Sequence, residues 1–233
     1  MKKWIALASI AIFALALGYL LTKISRSSSM DGTRSSLGSA EDSSIISMAP
    51  TPVSAPALWA SSASTIAELV AEADLVIRAR VIQDPEPRVV SFHGPIVAED
   101  GTVIGEGVDK VIFSDTEVEV VEIYKGSTRT IITVMQTGGI VGDTGQRFSL
   151  GGDPLYLKNE EVILFLVDIS DDPIHAQGRT LYRIVNPAGR YTIKGVEVLN
   201  HGEFSPSAAL PKTVDELVRQ IKEAVTQNAA ESR

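Results

Sequence analysis

The chain has 233 residues, with 21 lysines and arginines against 29 aspartates and glutamates, a formal net charge of −8. From residue 65 onward the tally is 16 basic to 26 acidic residues, a formal −10, which repels phosphate backbones and so argues against nucleic acid as a partner. The absence of cysteine excludes disulfides, thiolate metal sites, a cysteine nucleophile and a lipidated cysteine anchor.

The N-terminus begins with Lys2 and Lys3 and then runs apolar from Trp4 to Leu21 through Ile5, Leu7, Ile10, Ile12, Phe13, Leu15, Leu17 and Leu20. Eighteen helical residues at about 1.5 Å each span about 27 Å, close to a hydrocarbon core of about 30 Å. Residues 1–24 are therefore expected to be an uncleaved transmembrane signal anchor. The rival reading is a signal peptide cut after Ala14-Leu15-Ala16, but the apolar run continues past that point. Residues 25–64 are rich in serine, with prolines at positions 50, 52 and 56. They read as a disordered linker, too poor in apolar groups to offset the entropy of ordering. Residues 65–233 are then the folded domain, expected outside the cytoplasm of a single-pass cell-membrane protein.

That domain opens with a Thr-x-x-Glu capping box, Thr65 to Glu68, before a short helix with Ile66, Leu69, Val70 and Ala73 on one face. "LVIRARVIQ" follows, where Ile77, Ala79 and Val81 alternate with Arg78 and Arg80, the period of a half-buried strand. Glu117 and Glu119 of "DTEVEVVEIYKG" are the expected partners of the two arginines on the solvent face. Between these strands, residues 84–113 form an insertion. Its Asp100-Gly101 pair between alternating apolar residues predicts a small projecting hairpin.

Further strands are expected at 130–137, 161–169 and 180–185, and "GRYTIKGVEVLN" reads as a hairpin turning near Lys194-Gly195. Residues 137–154 hold six glycines but match neither the P-loop nor the dinucleotide fingerprint, and read as a mobile loop. A second capping box, Thr213 to Glu216, starts a helix with Val214, Leu217, Val218, Ile221 and Val225 on one face.

"ADLVIRARVIQ", "TEVEVVEIYKG" and "TIITVMQTGG" together resemble the N-terminal domain of the tissue inhibitors of metalloproteinases, over roughly residues 68–185. The resemblance implies a netrin-module-like, five-stranded barrel of the OB class. The fold expectation is therefore mainly β: a closed or partly open OB-like barrel with a short N-terminal and a C-terminal helix, preceded by a transmembrane helix. In that family a free N-terminal cysteine places its amine and carbonyl on the catalytic zinc. This chain has no cysteine, so the resemblance carries the fold and not the inhibitory chemistry.

Catalytic signals are weak. His93, His175 and His201 are far apart and show no metal-ligand spacing, and no Gly-x-Ser-x-Gly elbow occurs. "DISDD", Asp168 to Asp172, lacks the glycine and distal glutamate of an EF-hand loop and reads as a solvated turn. No cofactor and no metal is expected. The functional expectation is a binding module that meets an envelope protein or glycan through its loops. The candidate recognition rim is Asp100, Gly101, Gly138, Gly139 and Arg147. The alternative is a cell-envelope hydrolase whose site cannot be read from sequence. A histidine buried beside a carboxylate in a concave pocket would mark the enzyme, and an exposed apolar patch on the loop rim the module.

Overall fold

The computed structural model describes residues 53–55, 61–97, 102–141, 146–150, 153–202 and 210–231. All of them belong to one compact unit, Pro52–Arg233. The expected membrane anchor lies outside the described residues. Among the described residues no helix is long and apolar enough to cross a membrane.

Ten strands, two α-helices and one 3-10 helix (Pro187–Gly189) are described: β1 Val53–Ala55, α1 Ile66–Glu72, β2 Leu75–Val81, β3 Glu86–Val97, β4 Val103–Lys125, β5 Ile131–Val141, β6 Gln146–Leu150, β7 Glu161–Asp168, β8 Tyr182–Ile184, β9 Arg190–Lys194, β10 Glu197–Asn200 and α2 Val214–Glu231. Five of the strands close a barrel. β2 pairs antiparallel with β4 and β4 with β5; β5 meets β8 in parallel; β8 pairs with β7, and β7 returns to β2. This closed five-stranded ring is compatible with the OB class.

The closure follows from the side-chain alternation. Leu75, Ile77, Ala79 and Val81 of β2 meet Val118, Ile132, Val134, Val162, Leu164, Leu166 and Ile184 in the barrel interior. The opposite faces of β2 and β7 differ from each other. Val76, Ile163 and Phe165 point outward yet are buried beneath Leu69 and Val70 of α1 and Leu217 and Ile221 of α2. β7 therefore reads as an unbroken apolar run because both its faces are covered.

The "YKG" corner has a clear physical job. Lys125 Nζ donates to the carbonyl oxygens of Val70 and Ala73, each at 2.6 Å, and so satisfies the free C-terminal carbonyls of α1. Gly126 has φ +80°, and a Cβ there would stand 2.5 Å from the Asp74 carbonyl oxygen. Only glycine lets the chain pass this close.

The Thr65–Glu68 capping box forms in full. The second is half-formed. Thr213 Oγ1 accepts from the Glu216 amide at 3.3 Å, while the Glu216 carboxylate reaches the amide of Lys212 and not that of Thr213. The hairpin expected over 189–200 forms, with Tyr191 to Lys194 paired to Asn200 to Glu197 and Gly195 at φ +65° in its turn.

Four expectations are corrected. Arg78 and Arg80 both bind Glu161, at 2.9 and 3.1 Å, and not Glu117 or Glu119. Glu119 does lie opposite Arg80 on β4, but irregularities in the β2–β4 register place Arg78 opposite Glu122, Glu117 pairs with Thr133 on β5, and Glu161, across from Arg80 on β7, takes both ion pairs. The 84–113 insertion is larger than a small hairpin: all of β3 pairs with β4, from Glu86–Asp115 to Val97–Val103, and β4 runs on without a break into the barrel. The glycine-rich stretch is mostly a hairpin, in which Gly138 to Val141 pair with Ser149 to Gln146. Finally, the folded part begins before Thr65. β1 pairs in parallel with β6, and Ala63 is buried with its carbonyl accepting from Asn186. That partner is more than a hundred residues away in sequence.

Candidate functional site

β8 is only three residues long, so it closes the ring along only part of β5 and β7. One edge of β7 gives Leu166–Asp168 to β8 and Val162–Leu164 to β9. Between β9 and β5 the gap is filled by the segment Asp153–Tyr156 and bridged by side chains. Gln136 of β5 donates to the Pro154 carbonyl and accepts from the Tyr156 amide, both at 3.1 Å.

From the other side comes Arg190, 1% exposed. Its Nη1 donates to Asp153 Oδ1 at 3.1 Å and to the Pro154 carbonyl, and its Nη2 to both oxygens of Glu160, at 3.0 and 3.2 Å. The guanidinium centre lies 3.9 Å from the Tyr156 ring centroid, in cation–π contact. Burial opposes the charge on Arg190, but Tyr156, Asp153 and Glu160 more than offset it and raise its pKa. Burial also raises the Asp153 pKa, against the pull of Arg190 and Gln136.

Thr192, two residues along β9 and on the same face, extends the network. Its hydroxyl contacts a Glu160 oxygen and lies 2.7 Å from His201 Nε2. Because the carboxylate can only accept, the single threonine proton goes to Glu160, and His201 must donate through Nε2–H. In its neutral form His201 therefore carries its lone pair on Nδ1. Burial and the nearby Arg190 push its pKa down to about 4, against the opposing effect of Glu160.

A stability prediction follows. Between about pH 6.5 and about pH 4 the unfolded chain binds the His201 proton and the folded chain does not. The histidine's contribution is thus complete above pH 6.5 and is lost as pH falls toward 4. Denaturant midpoints measured across this window should rise with pH, and His201→Asn should flatten the rise. An unchanged slope in the variant would refute the assignment.

These residues floor a groove of about 650 Å³ between the 154–161 segment and the β9–β10 hairpin. Leu157, Ile193 and Leu199 form apolar walls, and Leu157 and Leu199 are about half exposed. Lys158 and Lys194 stand exposed on the rim and form no ion pair among the described residues. Chemically the floor is a rigid charged support. The Thr192 proton is committed to a carboxylate and its oxygen to an imidazole N–H, so the hydroxyl is not poised to attack a substrate.

Of the five rim residues expected from sequence, Gly138, Gly139 and Arg147 are described. Asp100 and Gly101 lie outside the described residues. Gly138 has φ +123°, and a Cβ there would stand 2.4 Å from the Phe148 carbonyl oxygen, while a Cβ on Gly139 would meet Ile112 and Ser114 at 2.9 Å. Both glycines are close-packing positions within the β5–β6 hairpin. Arg147 is exposed on β6.

The histidines also separate. His93 is exposed on β3. His175 Nδ1 lies 2.7 Å from Asp172 Oδ2, and its ring stands edge-on to Phe113 at 5.2 Å. Arg88 and Arg179 meet Asp115 beside it, each at 3.0 Å, so that the 169–181 connection is pinned on the outer face of β3 and β4. Asp168 and Asp172 accept from backbone amides within their own turn. Among the described residues no three metal-ligating side chains gather.

Sequence reasoning missed Arg190, Asp153, Glu160, Thr192 and His201 as a set. The available signal was faint: Arg190 and Thr192 alternate with Tyr191 and Ile193, a polar face on a strand whose other face is apolar.

No protein-family model matches the chain, and no curated protein matches it. The finer likeness to the metalloproteinase inhibitors thus has no support from relatives. What stands is the closed barrel.

Proposed function

We propose that this protein is a non-catalytic binding module, tethered to the cell membrane by its N-terminal segment, that recognises an envelope protein or glycan at the rim of an extracytoplasmic barrel. The observation that carries the reading is the groove at the barrel seam. Its aliphatic walls and rim lysines are exposed, and the lysines form no ion pair among the described residues, while the charged groups beneath them are already paired. A binding surface needs a well-packed floor and available groups above it; here the floor's charges are paired, although Arg190 Nε and the Tyr156 hydroxyl have no hydrogen-bond partner among the described residues. Apolar residues exposed on a rim are also the expected mark of an interaction site. The netrin-module likeness belongs to the same proposal, supported by the ring of five strands and the Lys125-Gly126 corner.

The β3–β4 arm is the competing surface, with Val89, Val103 and Val108 exposed along it. Pro95 and Glu106 face each other across the arm, so deleting residues 95–106 joins Gly94 to Gly107 and trims both strands in register. Full-length chain lacking these residues should melt cooperatively and still capture its envelope partner after cross-linking in cells. Leu199→Asp should lose that capture. The opposite pattern would move recognition to the arm.

A further inference from the structure

The groove carries a charge pattern unlike that of the rest of the domain. Its acidic side chains are already paired: Glu160 with Arg190, and Glu161 with Arg78 and Arg80. Among the described residues its two rim lysines form no ion pair. On a domain with a formal charge of −10, this leaves a local excess of free positive charge beside an aliphatic trough.

From this complementarity we infer that the groove takes an extended polypeptide segment in which aliphatic side chains alternate with carboxylates; this rests on the binding-module reading above. In an extended chain successive side chains point to opposite faces. Aliphatic residues would then settle on Leu157, Ile193 and Leu199, and the carboxylates between them would face outward and sideways, within reach of Lys158 and Lys194. Long lysine stems permit this reach while their own methylenes line the trough. His201 adds a neutral acceptor, Nδ1, which suits a backbone amide of such a segment. A glycan fits less well. The described lining offers no open aromatic face for a sugar ring, since Tyr156 is wholly buried beneath Arg190.

The test uses the full-length chain and a fluorescent decapeptide that alternates leucine with aspartate. Binding followed by anisotropy should saturate and should weaken as salt rises, because the rim charges are exposed. Lys158→Glu combined with Lys194→Glu should weaken it by about tenfold or more while leaving the melting transition in place. Arg147→Glu, off the groove on β6, should leave it unchanged. A decapeptide with asparagine in place of aspartate should bind far less, and a hexauronate should not compete. Equal binding by the lysine double variant, equal binding of the asparagine peptide, or displacement by the hexauronate would each overturn the inference. Failure of the peptide alone, with partner capture still lost in Leu199→Asp, would remove the ligand class and leave the binding-module reading standing. Failure of both would remove both.

Discussion

Arg190→Met should lower the unfolding free energy by about 3–5 kcal/mol, the cost of breaking a buried ionic cluster from one side. The arginine is almost wholly enclosed and holds Asp153, Glu160 and the Pro154 carbonyl at once. Without it, two carboxylates face one another in a medium that solvates neither, and the seam between β9 and β5 loses its bridge. Arg190→Lys should recover little of the loss. A compact ammonium cannot span both carboxylates and stack on Tyr156 as the planar guanidinium does. Chemical denaturation of the full-length variants checks this directly. A loss below about 1 kcal/mol for Arg190→Met would mean that the network is not a structural support.

Ile77→Ala should cost about 2–5 kcal/mol, and Arg78→Ala, its immediate neighbour, less than about 1 kcal/mol. Ile77 is fully buried in the barrel interior, where removal of its methyl groups leaves a cavity that β2 cannot collapse to fill. The Arg78 side chain is one-third exposed and shares Glu161 with Arg80, so that carboxylate keeps a partner when Arg78 is removed. Hydrogen bonding to Glu161 raises the Arg78 pKa, but solvent screening at this exposure keeps the pair weak. Urea midpoints for the two variants separate the strand's faces. Equal losses would place both side chains in the same environment and contradict the assigned alternation.

Much of the barrel was legible because its signals are local. The alternation of Ile77, Ala79 and Val81 with arginines, the Thr65–Glu68 box and the Lys194-Gly195 turn each depend on residues a few positions apart. The YKG pattern stood out by its composition, although its job could be seen only with α1 in place. What was not legible depends on register and on distant pairing. The sequence offers several acidic partners for Arg78 and Arg80, and only the offset in β2 and the position of β7 select Glu161. The glycine-rich stretch looked like a loop because glycine is depleted in strands. Here Gly138 and Gly139 are in a strand because β6 and β4 approach too closely for any Cβ.

The candidate site was the least legible part. Arg190 and Asp153 are 37 positions apart, Arg190 and Glu160 30, and no short motif links them. They meet where β8 ends and β9 takes over the edge of β7, a property of the assembled barrel. His201 was visible as a histidine in a loop, but its lowered pKa depends on burial and on Arg190 across the hairpin, and its tautomer on Thr192.

The most direct test of the central claim is site-specific photo-cross-linking in living cells. A photoreactive residue is placed at Leu199 in the groove, or at Val121 on exposed β4 as the control, each in the full-length chain. A binding groove predicts a discrete adduct from position 199 that disappears when Lys158→Glu and Lys194→Glu are added, and no such adduct from position 121. An adduct from position 121 alone, or one from 199 indifferent to the lysine changes, would contradict the assignment of recognition to this groove.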